Sequence, residues 1–201
     1  VISVGLEKAW KYCEERNMPR FLYISKTDEE NSDYNATFNA LRERFGKKVA
    51  PVVVPIWDEN KKVTGIIDVL NKRAYEMQNL KRTEIEIPAD KVSVVTEFND
   101  ALKESVAETS EEFMDKFFGG EDFTYAEMIQ GLRQGVRELS LFPVMCGSAI
   151  NCLGSLMLMD DIVELLPNPA EGNYHKATKA DGETEEFVVS PGGVPTAYVF
   201  K

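Results

Sequence analysis

Two short apolar segments, each followed by a polar loop, constrain the fold of this chain. Residues 141–146, Leu-Phe-Pro-Val-Met-Cys, are apolar at nearly every position, and Gly147-Ser148-Ala149 follows them. Phe21 to Ile24 form a second apolar run, which leads into the loop Ser25-Lys26-Thr27-Asp28. Strands that are apolar on both faces are typical of parallel sheets covered by helices. The two segments therefore predict an α/β fold.

The spacing of apolar residues predicts the remaining elements. The chain opens with a helix over Leu6–Arg16, a strand over Arg20–Ser25 and a helix over Tyr34–Phe45, the usual order in α/β domains. Short segments rich in β-branched residues then predict a small, mostly antiparallel sheet, over Val49–Trp57, Val63–Leu70, Ala74–Met77 and Thr83–Ile87. Helical spacing returns over Val92–Glu108, Glu111–Phe118, Tyr125–Leu139 and Leu156–Leu166.

Composition limits the kinds of partner and the cellular compartment that we expect for this chain. A net charge of −11 argues against broad contact with nucleic-acid phosphates, DNA included, and favours a basic protein partner. Three cysteines without paired spacing and a single histidine predict neither a disulfide framework nor a metal site. No apolar run is long enough to span a bilayer, and no leader pattern precedes residue 6. We therefore expect a cytoplasmic protein with reduced thiols.

The loop Ser25-Lys26-Thr27-Asp28 resembles the Asn-Lys-x-Asp guanine-binding loop of GTPases, with Ser25 in place of Asn. The resemblance implies that the Asp28 carboxylate accepts hydrogen bonds from the guanine ring NH and amino group. It also implies that the stem of Lys26 covers the plane of the base. In GTPases a Ser-Ala loop after a later core strand offers a backbone NH to the guanine O6, and Ser148-Ala149 has that placement.

Over almost its whole length the chain resembles the elongation factor G family of translational GTPases. The motifs that carry the resemblance are Glu7-Lys8-Ala9-Trp10, Pro19-Arg20, Lys26-Thr27-Asp28, Gly65-Ile66-Ile67-Asp68-Val69, Ile87-Pro88-Ala89-Asp90, Glu111-Glu112-Phe113-Met114-Asp115-Lys116, Gly119-Gly120-Glu121, Val144-Met145-Cys146-Gly147-Ser148-Ala149 and Leu165-Leu166-Pro167-Asn168-Pro169. It implies a partial P-loop GTPase-type, Rossmann-like parallel sheet that carries an α+β insertion.

The same resemblance implies four parts. Residues 1–49 would belong to the G domain and residues 50–138 would form its inserted subdomain. Residues 139–169 would complete the G domain with its final strand, Ser-Ala loop and helix. Residues 170–201 would form a linker and the start of the following β-barrel domain, with a first strand over Val194–Lys201.

In this family the inserted subdomain meets the ribosomal stalk protein through acidic residues. On a helical wheel of Val92–Glu108, the acidic residues occupy a narrow face separate from the apolar one. A solvated surface face is the ordinary interpretation of such a stripe. The resemblance instead implies contacts with the stalk protein, and the candidate residues are Glu97, Asp100, Glu104 and Glu108. The wider partners it implies are the ribosome and the remaining domains of the parent protein.

The chain contains no Gly-x-x-x-x-Gly-Lys-Ser/Thr phosphate loop and no Asp-x-x-Gly loop. Phosphoryl transfer depends on positioning and charge neutralisation at the phosphates, so we expect no GTP hydrolysis by this chain alone. GTP or GDP with Mg²⁺ would bind the intact parent, and we expect no tight nucleotide binding here. Ser25 has a shorter side chain than the Asn of the family motif. Losing one hydrogen bond at this position costs about 1 kcal/mol. We therefore expect a divergent paralogue with weaker nucleotide affinity.

Two other interpretations stay open. The chain could be a protein-interaction module of a degenerate GTPase that works without nucleotide. It could also belong to a translational GTPase of the ribosome-protection type, although that class lacks an insertion of this length. The guanine-binding candidates are common to both GTPase interpretations, and they are Ser25, Lys26, Asp28, Ser148 and Ala149.

Overall fold

A computed structural model describes residues 2–59, 62–78, 81–171, 176–179, 181–186, 189–193 and 197. The chain forms two compact units, one that ends at Leu166 and one that begins at Pro167. None of the described helices is long and apolar enough to cross a membrane. The strand expected over Val194–Lys201 lies outside the described residues, apart from Ala197.

The first unit alternates helices and strands and then adds an antiparallel sheet and three helices. Its helices are α1 (Val4–Glu15), α2 (Tyr34–Phe45), α3 (Val92–Ala107), α4 (Glu111–Phe118), α5 (Tyr125–Arg137) and α6 (Ser155–Leu165). Its strands are β1 (Leu22–Ile24), β2 (Val49–Pro51), β3 (Val53–Trp57), β4 (Val63–Asp68), β5 (Arg73–Gln78), β6 (Lys81–Ile85) and β7 (Phe142–Cys146). The second unit contains a 3₁₀-helix (Pro169–Glu171) and a hairpin of β8 (Lys176–Thr178) and β9 (Thr184–Glu186).

A three-stranded parallel sheet in the order β1-β7-β2 forms the centre of the first unit. Every residue of β7 is buried, as its unbroken apolar sequence predicts. Leu22 of β1 pairs with Val144, and Val49 of β2 pairs with Phe142, so β7 is bonded on both edges. The chain is therefore of the α/β class that the sequence predicts.

The prediction of one strand over Val49–Trp57 is wrong, because this segment forms two strands in two different sheets. β2 belongs to the parallel sheet and β3 to the antiparallel sheet β3-β4-β5-β6. At the junction the Val52 amide donates to the Val144 carbonyl at 2.9 Å, and the Val69 amide donates to the Val52 carbonyl at 3.0 Å. All residues from Val49 to Ile56 are buried, so no change in apolar pattern marks the point where the strand divides.

Helix α3 packs on α4 and α5, and its apolar face is buried. Val95, Leu102 and Val106 on this face are buried. Its neighbour α5 approaches closely at Gly131, where an added Cβ would lie 2.5 Å from Cγ1 of Val106. The side chain of Asn99 is also buried and donates to the Val69 carbonyl at 2.9 Å, which ties the helix to the end of β4.

Acidic side chains meet where α6 faces the turn between β4 and β5. Asp68 caps this turn by accepting from the Leu70 amide at 2.9 Å, and Glu164 accepts from the Tyr125 hydroxyl at 2.6 Å. Among the described residues, Oδ2 of Asp161 is buried without a hydrogen-bond partner. Burial, followed by the charges of Asp68, Glu164 and Asp160, raises the pKa of Asp161 to about 8.

We expect Asp161 to make stability decrease as the pH rises. Because the pKa of Asp161 is about 8 in the folded state and about 4 in an unfolded chain, the folded state binds more protons between these values. The free energy of unfolding should therefore fall as the pH rises across this interval. Asp161→Asn should be more stable than the parent at about pH 8.5, and this advantage should shrink toward about pH 5. Urea denaturation at both pH values measures it, and an equal difference at the two would contradict the assignment.

Candidate functional site

The two candidate guanine-binding loops lie side by side in the structure. Because β1 and β7 are parallel neighbours, the loops that follow them leave the same edge of the sheet. Two backbone hydrogen bonds join the loops directly. The Gly147 amide donates to the Ile24 carbonyl at 3.1 Å, and the Thr27 amide donates to the Gly147 carbonyl at 3.3 Å.

Gly147 allows this close approach. A Cβ at this position would lie 2.2 Å from the Leu153 carbonyl oxygen and 2.3 Å from the Tyr23 hydroxyl oxygen. Gly154 meets a similar limit, because it has a φ of +80° and an added Cβ would lie 2.4 Å from the Cys146 carbonyl oxygen. The sequence places Gly147 in the predicted loop but indicates no role for either glycine. The signal for Gly147 is its position directly after an apolar strand, and Gly154 follows a few residues later.

The loop after β1 presents polar side chains at the edge of the sheet. Lys26 has a left-handed φ of 60°, and Ser25 and Lys26 are exposed. Thr27 is only 3% exposed, so it anchors the loop. Within the described part of the chain, the half-buried carboxylate of Asp28 accepts no hydrogen bond. Asp28 therefore offers an unused acceptor in the loop whose Thr27 amide is bonded to Gly147.

Lys26 forms an ion pair with Glu29, a residue that the sequence did not single out. Its Nζ lies 2.8 Å from Oε1 of Glu29, and this hydrogen bond and ion pair raise the pKa of the Lys26 ammonium. The only sequence signal was the placement of an acidic residue three positions after the lysine. The family resemblance implies that the stem of Lys26 covers the plane of a base. In this structure the ammonium at the end of that stem is paired with Glu29.

In the second loop Ser148 and Ala149 play different parts. Ser148 is fully buried, and its amide already donates to the Leu153 carbonyl at 2.9 Å. Its Oγ accepts from the Asn151 amide at 3.3 Å, which holds the turn that follows. Ala149 is exposed, and no acceptor among the described residues takes its amide NH. Ala149, rather than Ser148, is thus the residue that can donate a backbone hydrogen bond to a ligand.

The arrangement suits recognition of a flat heterocycle with neighbouring donors and an acceptor. Asp28 supplies the carboxylate acceptor and Ala149 the backbone donor, from two loops that are bonded to each other. No group of three His, Cys, Asp or Glu residues within the described ranges could hold a metal ion. The Asp28 carboxylate and the Ala149 amide thus have no hydrogen-bond partner among the described residues.

The acidic candidates of α3 lie on a different element from the loops. Glu97, Asp100, Glu104 and Glu108 are exposed, opposite the buried apolar face of the helix. Lys103 lies beside this acidic face, with Nζ 3.8 Å from Asp100 and 2.5 Å from Asp122. The ion pair with Lys103 lowers the pKa of Asp122. Helix α3 packs on α4 and α5, so its acidic face lies on the group of helices between β6 and β7.

Replacing Gly147 with alanine should disrupt the site through packing. The new Cβ would meet the Leu153 backbone and the Tyr23 hydroxyl, so one loop has to move. We expect Gly147→Ala to lower the free energy of unfolding by about 1–3 kcal/mol in urea denaturation. Gly192→Ala is the matched control, since nothing lies within 4 Å of the added Cβ, and it should be nearly neutral. Equal stability of the two variants would show that the loops are not closely packed.

Comparison with known proteins finds similarity to solved structures. No protein-family model matches it. It is similar to a crystal structure of a Thermus thermophilus protein designated ttk003000868, with 32% sequence identity and a TM-score of 0.78. The match covers 85% of this chain and 25% of that one, so the chain spans about a quarter of the length of this similar protein. The designation names no activity, and the similarity therefore concerns sequence and fold.

Proposed function

We propose that this chain provides the guanine-recognition half of the nucleotide site in a translational GTPase resembling elongation factor G. The observation that carries the proposal is the direct bonding of the two loops through Gly147. A single Lys-x-Asp or Ser-Ala loop is a weak signal. Two such loops on adjacent parallel strands, at the edge where α/β proteins bind ligands, are a much more specific combination.

The unused hydrogen-bonding groups suit guanine better than adenine. The Asp28 carboxylate would accept from the ring NH and the exocyclic amino group of guanine. The free amide of Ala149 would donate to O6. Adenine carries an amino group at the place of O6, so the Ala149 NH would face a donor there and the contact would be lost.

Phosphate binding and hydrolysis would depend on parts of the parent protein that this sequence lacks. The chain has no phosphate loop, and hydrolysis requires both γ-phosphate and Mg²⁺ to be positioned. The nucleotide, GTP or GDP with Mg²⁺, would therefore bind weakly to this chain and more tightly to the intact parent. We expect the parent to act in the cytoplasm on the ribosome.

A nucleotide titration followed by amide NMR tests the proposal. GDP at millimolar concentration should shift the amides of Lys26, Asp28 and Ala149, and ADP should leave them in place. Asp28→Asn replaces an acceptor with an amide that can donate, so it should lose GDP and favour xanthosine diphosphate, which carries an oxygen at the position of the guanine amino group. In the intact parent, Ser25→Asn should tighten GDP binding several-fold.

Glu30→Gln is the control for the loss of one negative charge near the loop, since Glu30 is exposed two residues away. It should keep the preference for GDP. Equal shifts with GDP and ADP, or an Asp28→Asn variant that keeps the preference for GDP, would refute the guanine site. No effect of Ser25→Asn would refute the idea that Ser25 loosens nucleotide affinity.

The exposed acidic face of α3 supports a second function for the same chain. Glu97, Asp100, Glu104 and Glu108 would meet the C-terminal domain of the ribosomal stalk protein. Exposed charges of this kind speed the encounter of two proteins more than they tighten the complex. A protein-interaction module that works without nucleotide would use this face alone, and it would bind the stalk domain even if the guanine site failed its test.

Charge reversal on α3 distinguishes this function from a merely solvated face. Glu104→Lys should slow association with the stalk domain by about tenfold at low salt, and the effect should decrease as salt is added. Glu43→Lys on α2 is the matched control, because Glu43 is an exposed glutamate on another helix, and it should change the rate much less. Stopped-flow measurement of the association rate decides the question, and equal rates for both variants would contradict a role for this face.

A further inference from the structure

A cleft lies at the opposite end of the parallel sheet from the guanine-site loops. It has a volume of about 860 Å³ and is bounded by α1, the end of α2 and the start of β7. Phe142, the first residue of β7, lines it, whereas the Gly147 loop follows the last residue of this strand. The length of β7 separates the two places by about 13 Å, so the cleft is distinct from the proposed guanine site.

The cleft is locally basic on a strongly acidic chain. The chain as a whole has a net charge of −11. In the cleft, however, positive side chains outnumber negative ones. The basic residues that line it are Lys8, Lys11, Arg20, Arg44 and Lys48, and the acidic ones are Glu7 and Glu14.

Contacts within the cleft leave two lysines uncompensated. Arg44 donates to Glu7 at 2.9 Å, and the Glu14 carboxylate accepts from the Trp10 indole at 2.7 Å. Lys48 reaches only a backbone carbonyl, that of Leu139, at 3.5 Å. Lys8 contacts no acceptor in the part of the chain that the structure describes. The ammonium groups of Lys8 and Lys48 therefore present positive charge to whatever enters.

Arg20 adds a fixed positive charge to the wall of the cleft. Its guanidinium carbon lies 4.2 Å from the centre of the Trp10 ring and 4.6 Å from that of Phe142. One terminal nitrogen donates to the Trp10 carbonyl at 3.0 Å, and Nε is buried without a partner among the described residues. Because the aromatic rings already hold the Arg20 side chain in one position, binding a ligand would cost little further side-chain entropy.

The aromatic rings of the cleft are already used for packing. Trp10 is 8% exposed and stacks on Phe45 with 3.9 Å between ring centres. Phe142 is also buried and meets Trp10 edge to face. No face of Trp10 or Phe142 is left on which a nucleobase could stack, so recognition here depends on charge.

We propose that this cleft binds the phosphate groups of a compact polyphosphate, such as the di- or triphosphate part of a small phosphorylated molecule, without recognising an attached base. Phosphate groups concentrate several negative charges in a volume that the cleft can hold, whereas one carboxylate would leave most of its positive charge unmatched. A long polyanion such as RNA would extend beyond the cleft over the rest of a chain whose net charge is −11, which would repel it. The ligand could be inorganic polyphosphate or the phosphates of a nucleotide.

The probe for the test is inorganic tripolyphosphate, titrated into the whole chain and followed by amide NMR and calorimetry. Saturable shifts should appear at residues of α1 and at the start of β7, and not at Lys26 or Asp28. The double variant Lys8→Gln/Lys48→Gln should weaken binding by about tenfold or more. Lys47→Gln is the matched control, because Lys47 is the exposed neighbour of Lys48 and does not line the cleft, and it should change affinity less than twofold.

A variant that binds more tightly gives a second test, because a folding defect cannot raise the affinity. Glu14→Gln removes a negative charge from the cleft while its amide oxygen can still accept from Trp10, so tripolyphosphate should bind more tightly. ATP and GTP should bind the cleft equally if the base is not recognised. Equal weakening by Lys47→Gln, no shifts in α1, or tighter binding of poly-glutamate or single-stranded RNA than of tripolyphosphate would each overturn the proposal. None of these outcomes bears on the guanine preference at Asp28.

Discussion

The parallel pairing of β1 with β7 holds both the central sheet and the two candidate loops in place. It brings together two segments that are far apart in the chain, with Ile24 opposite Cys146 at the end of the strands. The two loops then bond through Gly147, which joins the segment that carries Asp28 to the segment that carries Ala149. A shift of one residue in this pairing would turn the side chains of β1 to the opposite face and separate the loops.

The antiparallel sheet and helices α3 to α5 lie in the chain between β2 and β7, which are neighbours in the parallel sheet. The chain leaves the parallel sheet at Val52, whose amide is bonded to Val144, and comes back as β7 at Phe142. The acidic face of α3 therefore lies on a different part of the chain from the loops that follow β1 and β7. The two functions proposed for the chain therefore occupy separate parts of one unit.

Charge is distributed unevenly over this unit. Acidic side chains gather on the outer face of α3 and around Asp161 on α6, whereas Lys8, Arg20 and Lys48 surround the cleft beside α1. A net charge alone predicts repulsion of every polyanion. The fold places a local excess of basic side chains where α1 lies near the start of β7, and there Arg20 lies over the aromatic rings of Trp10 and Phe142.

Local patterns in the sequence were enough to predict the class of the fold, most of the helices and the candidate loops. Apolar spacing predicts α2 and α4 with the limits that the structure has, and there Asp33 and Ser110 cap the two helices. Tertiary contacts were needed to show that Val49–Trp57 divides between two sheets and that Ala149 rather than Ser148 has a free amide. The ion pair of Lys26 with Glu29 is local, and the sequence places the two residues three positions apart without showing that they pair. The strand division and the state of the Ser-Ala loop depend on contacts with other segments, and residues buried throughout carry no periodic pattern from which such contacts could be deduced.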